Sequence, residues 1–182
     1  KGPVMALAVT GLFANAAAAQ SNDNKEYRVT ASLPIAVTHF TQSSSQRGWN
    51  EGWLNNPGLI LEIDKVLHKI DDTTDLRGGI VAGTYYNSIY QTSVLAGVTF
   101  EIEKRIGENV LLHAGTPMGV VTGYNETRPA IAPYIGISAE IFQKTRIGLR
   151  AQWLPLKTAG SMVGIESKTD ALAAQITLSR SF

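Results

Sequence analysis

The chain has 182 residues, enough for one domain, and its formal net charge of +1 gives no reason to expect a nucleic-acid partner. It has no cysteine, which excludes a disulfide framework and a cysteine zinc cluster. No apolar run reaches the roughly 20 residues that a transmembrane helix needs.

Lys1 is followed by the apolar run "VMALAVTGLF" and then by "ANAAAAQ". A basic residue, a short apolar stretch and the small residues Ala17, Ala18 and Ala19 ahead of Gln20 form the pattern of a secretion signal. A buried apolar helix is the other reading of such a run. The expected division is a signal peptide over 1–19 and an exported barrel over 20–182.

From there on, period-two segments recur between polar turns. The predicted strands are 26–40, 58–67, 79–88, 92–106, 109–123, 131–143, 145–155 and 171–182. In the fourth, Val94, Ala96, Val98, Phe100 and Ile102 share one side, and Leu95, Gly97, Thr99, Glu101 and Glu103 share the other. In the eighth, Leu172, Ala174, Ile176 and Leu178 oppose Ala173, Gln175, Thr177 and Ser179. A sandwich in water alternates in the same way.

Further features favour lipid. The turns "GEN" and "QKT" are tight, whereas 41–57 and 156–170 are long, and the sequence closes on Phe182 in an amphipathic strand. Tyr86, Tyr90, Tyr124 and Trp153 fall near one level, where aromatic rings favour a membrane interface. The expectation is an all-β fold, an eight-stranded antiparallel transmembrane β-barrel of the outer membrane with both termini periplasmic. "HKIDDTTDLRG" is then a rather long periplasmic turn.

Strand direction gives each inward residue a height. The lower lumen collects Arg28, Glu62, Asp64, Glu101, Glu103, His113, Glu140, Arg150 and Gln152. The upper lumen collects Pro34, Ala36, Ile60, Gly83, Tyr85, Leu95, Gly97, Gly119, Val121, Ala132, Gly136 and Leu154. Charges below can pair into a brace. The glycine-rich apolar half is either a tightly collapsed core or a pocket for a hydrocarbon chain.

Pro34 lies in the first strand, Pro57 just ahead of the second, Pro133 in the sixth and Pro155 at the end of the seventh. Proline donates no ladder hydrogen bond. Two adjacent strand pairs are therefore short of bonds toward the outer side, and each is a candidate slit for a lipid tail.

These stretches, "LPIAVTH", "NNPGLILE", "YYNSIYQTSVLAGVTFE", "IAPYIGISAE" and "WLPL", resemble the outer-membrane lipid A palmitoyltransferase family. The resemblance implies an enzyme that moves a palmitoyl chain from a phospholipid donor to a lipid A or glycolipid acceptor. It implies lateral lipid gates at the four prolines and an acyl pocket in the upper lumen. Its catalytic positions fall on His39, Asn87 and Ser88, with Asn87 standing where the family has an aspartate. His39 would be the general base, Asn87 its orienting partner and Ser88 a positioning group. No cofactor or metal is called for, and the barrel is expected to be a monomer. The alternative is a non-catalytic structural or lipid-binding barrel of the same build, which the asparagine favours.

Overall fold

A computed structural model describes residues 27–40, 58–86, 92–122, 127–154 and 170–182, without the side chains of 36–40, 154, 170 and 171. The strands are β1 (Tyr27–Phe40), β2 (Gly58–Asp71), β3 (Thr74–Tyr86), β4 (Thr92–Arg105), β5 (Val110–Val121), β6 (Arg128–Ile131), β7 (Tyr134–Phe142), β8 (Thr145–Leu154) and β9 (Asp170–Ser181). Every pairing is antiparallel, β9 pairs with β1, and β4 pairs with β5, so the sheet closes. β6 and β7 share one stave against β5, which makes nine segments an eight-stranded barrel. Closure leaves no free sheet edge in a solvent that offers no hydrogen bonds.

Alternation sorts the side chains. β4 puts Ser93, Thr99, Glu101 and Glu103 inside, buried, and Val94, Val98, Phe100 and Ile102 outside, exposed. The outer belt continues through Val120, Ile135, Ile137, Ile147, Leu149, Ile176 and Leu178, all exposed. The buried set is mainly polar: Arg28, Thr30, Ser32, Glu62, Asp64, Arg77 and Gln175 are among it. A protein folded against water sorts the other way. This inversion belongs to a barrel that crosses a bilayer.

Three expectations need correction. The supposed long turn "HKIDDTTDLRG" is mostly strand: β2 runs to Asp71, β3 starts at Thr74, and Asp72 and Thr73 make the turn. Register shifts between Val66 and His68 and between Lys69 and Asp71 break the period-two pattern there, which hides the strand. Asp71 Oδ1 accepts from the Thr73 amide at 2.7 Å and from its hydroxyl at 2.8 Å.

The sixth strand, expected unbroken over 131–143, is interrupted at Ala132 and Pro133. β5 pairs with β7 only up to Gly115 opposite Tyr134, and with β6 from Met118 opposite Ile131. The Ala132 amide still reaches the Pro117 carbonyl at 3.1 Å, and the Trp153 amide reaches the Pro133 carbonyl at 2.8 Å. Prolines at 117 and 133 remove donors from both sides of this seam.

The third correction concerns Gly136. It lies opposite His113 on β5 and Arg150 on β8, within the charged half, and not in the upper lumen. β6 and β7 keep one register against β5 across the break, so it is this pairing with His113, and not a displacement, that puts Gly136 at the level of the charges.

Candidate functional site

The lumen is crossed by one polar network. Arg28, on β1, donates from Nε to Asp64 Oδ2 at 3.0 Å, from Nη2 to Glu101 Oε1 at 2.6 Å and from Nη1 to Glu103 Oε2 at 2.5 Å. Arg77 holds the other oxygen of Asp64 at 2.5 Å. Arg150 bridges Glu62 at 2.5 Å and Glu101 at 3.2 Å, and Arg146 reaches Glu103 at 2.8 Å. Among the described residues the buried charges are thus four guanidiniums (Arg28, Arg77, Arg146, Arg150) and four carboxylates (Glu62, Asp64, Glu101, Glu103), beside His113. Balance is what burial demands, since an unpaired charge in this interior would cost several kcal/mol.

Tyr134 closes the network from above. Its hydroxyl donates to Glu101 Oε2 at 2.5 Å, and the Arg150 guanidinium carbon lies 4.3 Å from its ring centroid. The ring lies across Gly115, where an added Cβ would come within 2.7 Å of the phenol. Gln175 donates to Gln152 at 2.6 Å, and Gln152 to the Ala132 carbonyl at 3.2 Å, forming a neutral polar layer.

His113 lies between two partners. Nε2 is 2.6 Å from Ser138 Oγ and Nδ1 is 3.2 Å from Glu101 Oε1. The order hydroxyl, imidazole, carboxylate is that of a nucleophilic relay. Ser138 is only 5 % exposed and faces Gly148, however, and Glu101 is already shared among Arg28, Arg150 and Tyr134. The relay is therefore a set of satisfied hydrogen bonds inside the plug. Glu101, Glu103 and His113 also have the spacing of a metal cluster. Arg28, Arg146 and Arg150 already occupy carboxylate oxygens of that cluster. A cation would have to displace guanidiniums and sit among their charges.

Above the plug, Ile60, Gly83, Leu95 and Val121 form one row across β2 to β5. Val81, Gly97 and Gly119 form the row beneath it. Gly97 and Gly119 face each other, and a Cβ on either would run into the carbonyl of Met118 or Ala96 and lie 2.7 Å from the other glycine's Cα. They are glycines because two backbones approach closely there, not because they leave open volume. Ala132 is buried and Tyr85 is half-buried. Ala36 is opposite Ala174 and Leu154 opposite Ala171, with side chains outside the description.

Pro34 is buried opposite Gln175 of β9, at a register shift. β1 pairs with β2 only up to Ser32 opposite Ile60, although both strands continue. Pro133 lies in the β6–β7 break, and Pro57 and Pro155 lie outside the described residues. Of the expected catalytic residues, His39 is near the end of β1 opposite Ala171, while Asn87 and Ser88 lie outside the described residues. The signal segment 1–19, Tyr90 and Tyr124 do too.

No family model matches the chain, and no curated protein matches it in sequence. Solved structures do. Neisserial surface protein A is 10% identical over 90% of this chain and 100% of its own, with a TM-score of 0.51. Ail, the attachment invasion locus protein of Yersinia pestis, is 12% identical over 88% of this chain and 100% of its own, at 0.48. The outer membrane enzyme PagL is 13% identical over 84% of this chain and 98% of its own, at 0.47. At these identities the likeness is one of fold.

These findings overturn the resemblance to the lipid A palmitoyltransferase family, which is not among the similar structures described, and with it the acyltransferase activity. The quoted stretches are short alternating runs that outer-membrane barrels share for one physical reason, a lipid face against a lumen face.

Proposed function

We propose that this chain is a non-catalytic outer-membrane barrel, structural in role, with its termini in the periplasm and its lumen sealed by its own charges. The buried network around Arg28 and Glu101 carries this reading. It holds the one hydroxyl–imidazole–carboxylate series described in the lumen, Ser138, His113 and Glu101, in bonds to one another and to the arginines. The partners are membrane lipids, and the barrel acts as a monomer. Two measurements test it. Expression in a strain without lipid A acyltransferases should leave the mass profile of lipid A unchanged. In planar bilayers the refolded barrel should give no steady conductance. A gain of one acyl chain in lipid A, or a steady open pore, would overturn the reading.

The gap above Ser32 favours a lipid-binding variant of this role. The β1–β2 ladder stops where Pro34 follows, and Leu33 and Leu59 are then unpaired neighbours across a seam. A lipid tail would enter there, and a second would enter at the Pro133 break. A cysteine pair at Leu33 and Leu59 closes the first seam on oxidation. Oxidation should lower the amount of phospholipid that co-purifies, and unchanged lipid content would rule out entry at that seam.

A further inference from the structure

At the end of the barrel that holds Tyr27 and Phe182, three cations lie along one arc, with β1 between β2 and β9. Lys65 on β2 is opposite Tyr27 of β1, Arg180 on β9 is opposite Val29, and Lys144 occupies the turn between β7 and β8. Backbone bonds join the staves: the Phe182 amide donates to the Tyr27 carbonyl at 2.8 Å, and the Ser181 amide to the Lys144 carbonyl at 3.0 Å. Arg180 is exposed between buried Ser179 and Ser181, so it points outward with the lipid-facing set. Its guanidinium carbon is 5.7 Å from the Phe182 ring centroid. Tyr27 also points outward, preceding buried Arg28.

The ion pairs of this end join Arg28, Arg77 and Arg146 to lumen acids, and among the described residues none includes Lys65, Lys144 or Arg180. The nearby acid, Glu140, faces inward and is taken by Arg146 and by the Lys144 amide. Farther along the same outward faces come Leu178, Ile176 and Leu33, all exposed and apolar. The cations therefore lie where the apolar belt ends, flanked by two aromatic rings. That is the level of lipid headgroups, where basic side chains meet phosphate and aromatic rings anchor the boundary.

We propose that Lys65, Lys144 and Arg180 form a binding site for the phosphate of an anionic membrane phospholipid, with Tyr27 and Phe182 packed against its glycerol region. The proposal rests on the membrane-barrel reading above. It is tested on the full chain refolded in neutral detergent, with native mass spectrometry of retained lipid. Phosphatidylglycerol should be retained over phosphatidylcholine by at least about tenfold, given the usual contribution of each basic residue near an anionic surface. The triple variant Lys65→Gln, Lys144→Gln, Arg180→Gln should lose that preference. The control Lys69→Gln, Lys104→Gln, which removes two exposed cations elsewhere, should keep it. Preference surviving the triple variant, or lost equally in the control, would overturn the site. Displacement of the lipid by an equal concentration of inorganic phosphate would overturn the lipid as its ligand. Failure of the wild-type barrel to enter bilayers would instead bring down the membrane-barrel reading.

Discussion

Arg28 and Glu101, on strands three positions apart around the barrel, meet inside the lumen at 2.6 Å with side chains 2% and 3% exposed. Removing one partner leaves the other charge buried. Arg28→Met should cost about 3–5 kcal/mol, because Asp64, Glu101 and Glu103 each lose a partner and three guanidiniums are left for four buried carboxylates. Urea titration of refolding in lipid vesicles measures this. A loss under about 1 kcal/mol would mean that water, not Arg28, holds these acids.

Gly97→Ala should weaken the β4–β5 seam, since the added carbon runs into the Met118 carbonyl. Overpacking of this kind costs about 1–3 kcal/mol. Gly107→Ala is the control: its added carbon meets nothing nearer than Val110 Cβ at 4.0 Å, so stability should hardly change. Equal effects in the same titration would refute the close-approach account.

Ile135 is 68% exposed, second in β7 and midway along the stave that β6 and β7 share. In water Ile135→Arg would be harmless. In a bilayer it should cost about 2–4 kcal/mol if the position is near the midplane. Comparing stability in vesicles and in detergent separates the two, and a penalty-free arginine in vesicles would place this face outside the membrane.

Asp71 is held below the ordinary carboxylate range, chiefly by the Thr73 amide and then by its hydroxyl. A depressed folded-state value means that the turn is stabilised above the ordinary aspartate pKa and loses that support as pH falls through the folded value. The carboxyl carbon resonance of Asp71 should therefore titrate below about 3.9, and Thr73→Ala should move its midpoint upward. A midpoint unaffected by that change would remove the hydroxyl from the account.

The barrel was legible because lipid enforces a strict period of two. From Val94 to Glu103 the alternation alone gives each residue its face, with Glu101 and Glu103 inward. Arg77 escapes the alternation because it lies beside the register shifts that break the period of two. Tyr134 has the inward parity of Gly136 and Glu140, but its role depends on Gly115 opposite and Arg150 across β8, which a linear pattern does not reveal. The family resemblance failed for a related reason. "IAPYIGISAE" alternates as a lipid-facing stave must, and that constraint carries fold and little chemistry.

The uneven pairing of β1 bears on how the barrel comes to exist. β1 forms twelve residue pairs with β9, the last strand, and six with β2, the next one along. The first strand thus has its most extensive partner at the far end of the described chain, where Arg28 meets Ser181. Contacts of such separation form late and slowly. Until β9 arrives, the half of β1 beyond Ser32 lacks the only ladder described for it, which works against a durable half-built stage. A chain stalled before Asp170 would have an open sheet edge, and deletion of β9 should abolish accumulation in the membrane where deletion within an intermediate turn would only reduce it.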